Sequence, residues 1–346
     1  MLVPALLVTL SGLPAAPPAP AYVLETADPR RVEAVLTYTV RCDGVRAREW
    51  IVFAAQAPEL PGQTKVESRL EPGGTSAKEL SPLKRPVLTA RVPARQKDLE
   101  SALPIRVTYV ATLRSRKLKP LAGGTDPPKV EAPGDREREA ALAARGEIDS
   151  KSEAVQAWLR ERKLRREQDE SDVDFARRVF LDLRANFRYE YKPGADAHAS
   201  AVCRAGRSDC GGLSGLFVAA LRANGVPART LYGRWARSAE AGAKLGEVPY
   251  YQAHVKAEFY ADGVGWVPAD VASGILHDRS KEGLSYFGND PGDFLTFHVD
   301  PDLDLDARAF GRQQATCLQV PAHWVVGTGK LEETTPKEGW EVKKLT

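Results

Sequence analysis

Apolar residues recur at every second position, or run β-rich, in four early stretches, residues 32–40, 50–53, 87–92 and 105–113. Period-two patterning between Pro and Gly breaks is the signature of strands, so residues 22–118 are expected to form an all-β, sandwich-like domain. Residues 119–135 then carry Gly123-Gly124, Pro127-Pro128 and Pro133-Gly134 with almost no apolar periodicity, which reads as a linker crossed by few contacts. After Gly134 the period lengthens. Ser150-Lys151-Ser152-Glu153 has the spacing of a capping box ahead of Val155, Trp158 and Leu159. Ser171 and Asp174 offer a second cap, before a stripe of Phe175, Val179, Leu183 and Phe187 with Ala176 and Phe180 beside it. Residues 136–346 therefore read as an α+β domain, and the length of 346 residues accommodates both units.

A third helix carries the chemistry. Leu213, Leu216, Phe217, Ala220 and Leu221 fall on one helical face, Asp209 is a suitable N-cap, and Asn224-Gly225 is a stop signal. Cys210 therefore opens a helix, where unpaired N–H groups and the positive end of the dipole favour a thiolate. Gly211 and Gly212 are expected to leave space above the sulfur, and the backbone N–H groups of Cys210 and Gly211 could hold an oxyanion. A thiol nucleophile needs a base. Residues 253, 255, 257 and 259 are apolar, so His254 is expected on the opposite, unburied face of a strand. A turn over residues 261–265 returns the chain into Trp266 to Asp270, a hairpin that can bring Asp270 beside His254 to orient the imidazole.

Composition narrows the setting. The 49 Lys plus Arg and 46 Asp plus Glu are interspersed, leaving +3 and no basic stripe, which argues against a nucleic-acid partner. Residues 160–166 are basic, but Glu161 and Glu167 dilute them, and they read as a solvated face. Residues 1–21 have the shape of a secretory leader, an apolar stretch followed by small residues at Ala19 and Ala21. That stretch is too short to span about 30 Å of hydrocarbon, so export to the periplasm, envelope or exterior is expected, with no stable membrane span after leader removal. Cys42, Cys203, Cys210 and Cys317 are too scattered for a disulfide framework or a paired metal site. His198, His277, His298 and His323 show no metal spacing and read as surface or loop residues. Cys203 precedes Cys210 by a short segment with Arg204 and Arg207 that is expected to be a loop, so it is a candidate redox partner for Cys210. Trp235, Trp266, Tyr250 and Tyr251 could line a groove or pack a core, and are left unassigned.

The order Asp209-Cys210-Gly211-Gly212, Gly225-Val226-Pro227-Ala228-Arg229, Ala253-His254-Val255 and Gly265-Trp266-Val267-Pro268-Ala269-Asp270 resembles the transglutaminase-like superfamily. The resemblance covers about residues 171–299, with His254 following Cys210 by 44 positions and Asp270 following His254 by 16. It implies a papain-like core, a helix packed on an antiparallel sheet, with Cys210 as nucleophile, His254 as base and Asp270 as its orienter. Tyr189 or Tyr191 could add an oxyanion donor. The expected reaction is acyl transfer from an amide of a protein or peptide substrate through a thioester, with no cofactor or metal. Hydrolysis is the favoured outcome. Transfer to an amine, as in a cross-linking transglutaminase, and a non-catalytic binding or assembly module of the same fold are the alternatives.

Overall fold

The computed structural model describes residues 22–94, 102–122 and 126–345. The leader and Gly123-Gly124 lie outside the described residues.

The amino-terminal strands are β1 (Tyr22–Ala55), β2 (Gln63–Glu71), β3 (Thr75–Lys78), β4 (Pro86–Pro93) and β5 (Ala102–Pro120). On β1 the side chains of Val32, Ala34, Leu36, Tyr38, Val40 and Cys42 are buried, and on β5 those of Leu103, Ile105, Val107, Tyr109, Ala111 and Leu113, the two-residue period that puts one face on a core. Two expected strands merge into β1. The ladder steps across irregularities at Asp43/Val45 and Ala47/Glu49, and Gly44, inside the first of them, takes a positive φ of 79°, so the chain bends without leaving the sheet.

The helical region runs through α1 (Asp135–Leu142), α2 (Glu153–Glu161), α3 (Asp172–Asn186), β6 (Arg188–Tyr189), α4 (Ala199–Ala205), β7 (Arg207–Ser208) and α5 (Cys210–Ala223). Ser152, not Ser150, caps α2, accepting from the Val155 amide, while Ser171 caps α3 through the Asp174 amide. Strand β8 (Ala228–Trp235), the small hairpin β9 (Lys244–Leu245) and β10 (Val248–Pro249), β11 (Ala253–Ala261), β12 (Gly265–Ala269) and α6 (Val271–His277) follow. The chain closes with β13 (Asn289–Asp290), β14 (Phe294–Val299), β15 (Leu303–Asp306), β16 (Arg312–Ala315) and β17 (Ala322–Lys344). An antiparallel sheet in the order β12-β11-β8-β14 backs α5, whose residues 212–222 are all buried. Phe175, Phe180, Phe217, Phe259 and Phe287 fill the core between α3, α5 and this sheet.

The all-β region and the helix-on-sheet core follow the sequence, but the connection between them does not. Strand β17 pairs antiparallel with β1 from Val32↔Lys344 to Phe53↔Ala322, so the carboxyl-terminal strand completes the amino-terminal sheet, which has seven strands among the described residues. Leu295 and Phe297 of β14 join the core of that sheet, with Phe297 stacked on Tyr109 at 4.4 Å, and the Gln63 side chain bonds both the amide (2.8 Å) and carbonyl (2.9 Å) of Thr296. Arg116 of β5 is 3% exposed and reaches Glu258 of β11 at 2.9 Å, which also holds Arg229 at 2.7 Å. Few contacts were expected across the linker. Instead both faces of β14 and β11 are covered, and Glu258 is tolerated inside because its partners Arg116 and Arg229 are in place. The same covering buries His254, Lys256 and Glu258, so the even-numbered face of β11, expected to be open, is a second packed face.

Candidate active site

Asp209 caps α5, its Oδ1 accepting from the Gly212 amide at 3.0 Å, and this fixes Cys210 in the first turn. The helix lies on β11 through one residue of that strand. The Val255 carbonyl accepts from Ser214 Oγ at 3.2 Å, while the backbone N–H groups of Val255 and Gly211 reach the Cys210 sulfur. Cys210 and Ser214 are one helical turn apart, so both meet the same strand residue. Gly211 lines the cleft beside the thiol, but Gly212 does not: a Cβ there would strike the side chain of Ser208, so that glycine serves the packing of α5 on β7. The resting thiol also departs from expectation. Burial pushes its pKa well up, and the Asp209 and Asp270 carboxylates add to the rise, outweighing the helix terminus. A base must take the proton.

His254 and Asp270 meet because of register. The ladder of β11 with β12 begins at Ala257↔Ala269, leaving His254 beyond it, while Asp270 turns out of β12 to cap α6. His254 Nε2 lies 2.9 Å from Asp270 Oδ2, and the same carboxylate accepts from Ser273 Oγ at 2.9 Å and the Ser273 amide at 3.0 Å. Burial alone would raise the Asp270 carboxyl, but His254, Lys256 and the Ser273 amide hold it down at about 2, so it remains a carboxylate. With Nε2 engaged, Nδ1 is the ring nitrogen left for proton transfer. The Trp235 indole stacks on the imidazole at 4.7 Å and 18°, and Phe294 meets it edge-on at 6.1 Å. Gln319 donates to the His254 carbonyl at 2.8 Å and the Gly233 carbonyl at 2.7 Å, tying down the backbone beneath.

Two clefts adjoin these groups. The one at His254 and Asp270, about 510 Å³, includes Tyr189, Trp235, Lys256 and His277. The other, about 420 Å³, opens on Cys210 and Gly211 and includes Glu147, Tyr191, Tyr232 and Tyr251. Leu245, Tyr250 and Ala253 wall both, so the β9–β10 hairpin stands where they meet. Tyr250 is pushed up to about 12 by burial and by Cys210, and Tyr189 is raised by the same two causes, so both phenols stay protonated and can donate. A larger cleft of about 620 Å³ between residues 82–85 and 134–145 holds none of the candidate residues.

Cys203 lies in helix α4, not in a loop, and its Sγ donates to the Ser200 carbonyl at 3.3 Å. It lines neither of the two clefts, and Arg207 is engaged with Glu190 at 3.4 Å. His298 is not at the surface: it is 3% exposed on β14, Nδ1 donating to the Asp300 carbonyl and Nε2 accepting from the Leu318 amide, each at 3.0 Å. Burial and Arg85 lower it to about 3, a neutral imidazole serving structure. All four cysteines are free, and among the described residues no group of three or more His, Cys, Asp or Glu is placed to hold a metal. Ser214, Gln319 and Glu147 carried no sequence signal, since each acts through a contact distant along the chain, whereas Ser273 sits three residues after Asp270 in the cap of α6. Trp235 could have been found from its place on the strand beside His254.

Residues 159–271 match the family model of the Transglutaminase-like superfamily, a segment that contains Cys210, His254 and Asp270, and the chain carries a transglutaminase-like core. An uncharacterized protein of Haemophilus influenzae is 31% identical over 122 residues, which is 29% of this chain and 33% of that protein, so the match spans about a third of the relative's length. A candidate cysteine protease from Cytophaga hutchinsonii superposes with a TM-score of 0.56 at 12% identity, over 94% of this chain and 93% of that one, a likeness of fold. The periplasmic domain of TgpA from Pseudomonas aeruginosa is 16% identical over 73% of this chain and 92% of that one, with a TM-score of 0.36.

Proposed function

We propose that the transglutaminase-like core makes this protein an exported thiol hydrolase of peptide or protein amides, with Cys210 as nucleophile, His254 as base and then acid, and Asp270 as its orienter. The observation that carries this reading is the 2.9 Å contact of His254 Nε2 with Asp270, beside a helix whose first residue is Cys210. His254 Nδ1 takes the Sγ proton as sulfur attacks the amide carbon, and the C=O π pair moves onto oxygen to give a tetrahedral oxyanion. Backbone N–H groups at the start of α5, those of Cys210 and Gly211, are the proposed donors to that oxygen, with Tyr189 or Tyr191 as side-chain candidates. The imidazolium then protonates the departing nitrogen, the C–N bond breaks, and a thioester remains on Cys210. Water attacks the thioester, gives its proton to Nδ1, and releases the carboxylic acid as the thiol re-forms.

Export rests on the leader-like residues 1–21, and no helix among the described residues is long and apolar enough to cross a membrane. The test is incubation of the purified protein with a protein mixture, with and without an added primary amine. New fragments are the expected result. Incorporation of the amine without fragments would replace hydrolysis by transamidation, and neither product would favour a scaffold role.

A further inference from the structure

The cleft at Cys210 is charged in an unbalanced way. Among its lining residues Glu338 is paired with the buried Arg234 at 2.7 Å, and Asp209 is occupied by the cap of α5. Glu147 is different. Its amide donates to Asp302 at 2.9 Å and its carbonyl accepts from the Ala199 amide at 2.8 Å, so the backbone is clamped from both sides. Its half-buried carboxylate lines the cleft and accepts no hydrogen bond and forms no ion pair among the described residues. Tyr191, Tyr232, Tyr250 and Tyr251 supply rings around the same space. A carboxylate without a cation, in a cleft lined by phenols, is an environment that recognises an ammonium group by charge and hydrogen bonding.

We infer that Glu147 is a specificity-determining residue that captures a primary ammonium group, a lysine side chain or a free amino terminus, on the substrate segment lying in the Cys210 cleft. The inference rests on Cys210 being the reacting thiol of the proposed function, but its test does not depend on turnover. Burial pushes the Glu147 carboxyl up to about 7, with Asp302, Asp209 and Asp196 adding to the rise and His198 opposing it. A bound ammonium stabilises the ionised form, so capture strengthens as pH rises through that value and fades below it.

Methanethiosulfonates form a mixed disulfide with a thiol, expelling methanesulfinate while the thiol proton passes to base or solvent. The rate of this reaction at Cys210, read by mass spectrometry of its peptide, is compared between the cationic aminoethyl reagent and the neutral methyl reagent. At pH 8 the cation-to-neutral ratio is expected to be about tenfold higher in wild type than in Glu147→Gln, the scale of one unit-charge contact in a partly screened cleft. Glu147→Asp should keep most of it, and the wild-type ratio should fall below pH 7. Any pH dependence of the ratio that comes from other groups appears in Glu147→Gln as well, so the excess of wild type over that variant is the quantity that should fall below pH 7. Cys317 lines the same cleft and reports the same ratio should Cys210 prove slow. An acetylated lysine peptide and a lysine-free peptide with a free amino terminus, used as protectants against the neutral reagent, tell the two amine sources apart. Equal ratios in wild type and Glu147→Gln at both thiols would overturn the inference, whether or not the protein hydrolyses amides. Absence of turnover with the ratio intact would instead remove the proposed function.

Discussion

Trp340, near the carboxyl terminus, should be among the costliest residues to truncate, because it joins the two cores. It is 2% exposed, pairs with Leu36 across the β1–β17 ladder, meets Phe297 edge-on at 5.9 Å, and lies 5.5 Å from the Arg234 guanidinium. Its Nε1 donates at 2.9 Å to the carbonyl of Trp235, the residue whose ring stacks on His254. Trp340→Ala should destabilise by about 3–5 kcal/mol, the range for emptying a buried Trp site. Loss of the hydrogen bond contributes about 1 kcal/mol of that, and Trp340→Phe, which retains most of the packing, should show little more than this smaller loss. Urea unfolding followed by far-UV circular dichroism and by tryptophan fluorescence measures both, and the two probes should move together. A loss under about 1 kcal/mol for Trp340→Ala, or a helical signal that unfolds independently of the sheet, would refute the reasoning that the two cores are interlocked.

Other perturbations test separate parts of the account. Cys210→Ala should fold and show no amide turnover above background, whereas Asp270→Asn should retain a residue of activity, reduced by about 10²–10⁴, since a mis-set tautomer is less damaging than a missing nucleophile; full activity in either variant sinks the assignment. His298 makes stability acid-sensitive: its unfolded form takes a proton near 6.5 but the folded form only near 3, so the unfolded state binds more protons between these values and stability falls with falling pH. The loss should be about 3 kcal/mol at pH 4.5 and absent at pH 7.5. Urea titrations of wild type and His298→Gln should differ in this slope, and equal slopes would assign it elsewhere. If Cys203 is a redox partner of Cys210, peroxide should produce a linkage between them that dithiothreitol reverses; sulfinic acid appearing on Cys210 equally fast in wild type and Cys203→Ser removes that role.

Local signals told most about α3 and α5. The stripe from Phe175 to Phe187 is buried throughout, and Leu213, Leu216, Phe217, Ala220 and Leu221 are fully buried beneath the Asp209 cap, because helical period and capping depend on near neighbours. The meeting of His254 and Asp270 was legible for the same reason, as a hairpin sets their register. What escaped was long-range. Nothing in residues 322–344 states that they pair with β1, some 290 positions earlier, and a strand buried on both faces by distant elements hides its polar face, as Lys256 and Glu258 do on β11. The thiol's raised pKa was missed because it comes first from burial, which the chain's long-range packing sets, and then from the carboxylate that caps the helix.

The central claim is that the reacting acyl group passes through Cys210. Acid-quenched mixtures of the protein with a peptide substrate, digested under acidic conditions and analysed by mass spectrometry, should show that acyl group as a thioester on the peptide containing Cys210. The adduct and the products should both be missing from Cys210→Ala. Products formed at the wild-type rate by Cys210→Ala, or an acyl group carried on another residue, would contradict the account.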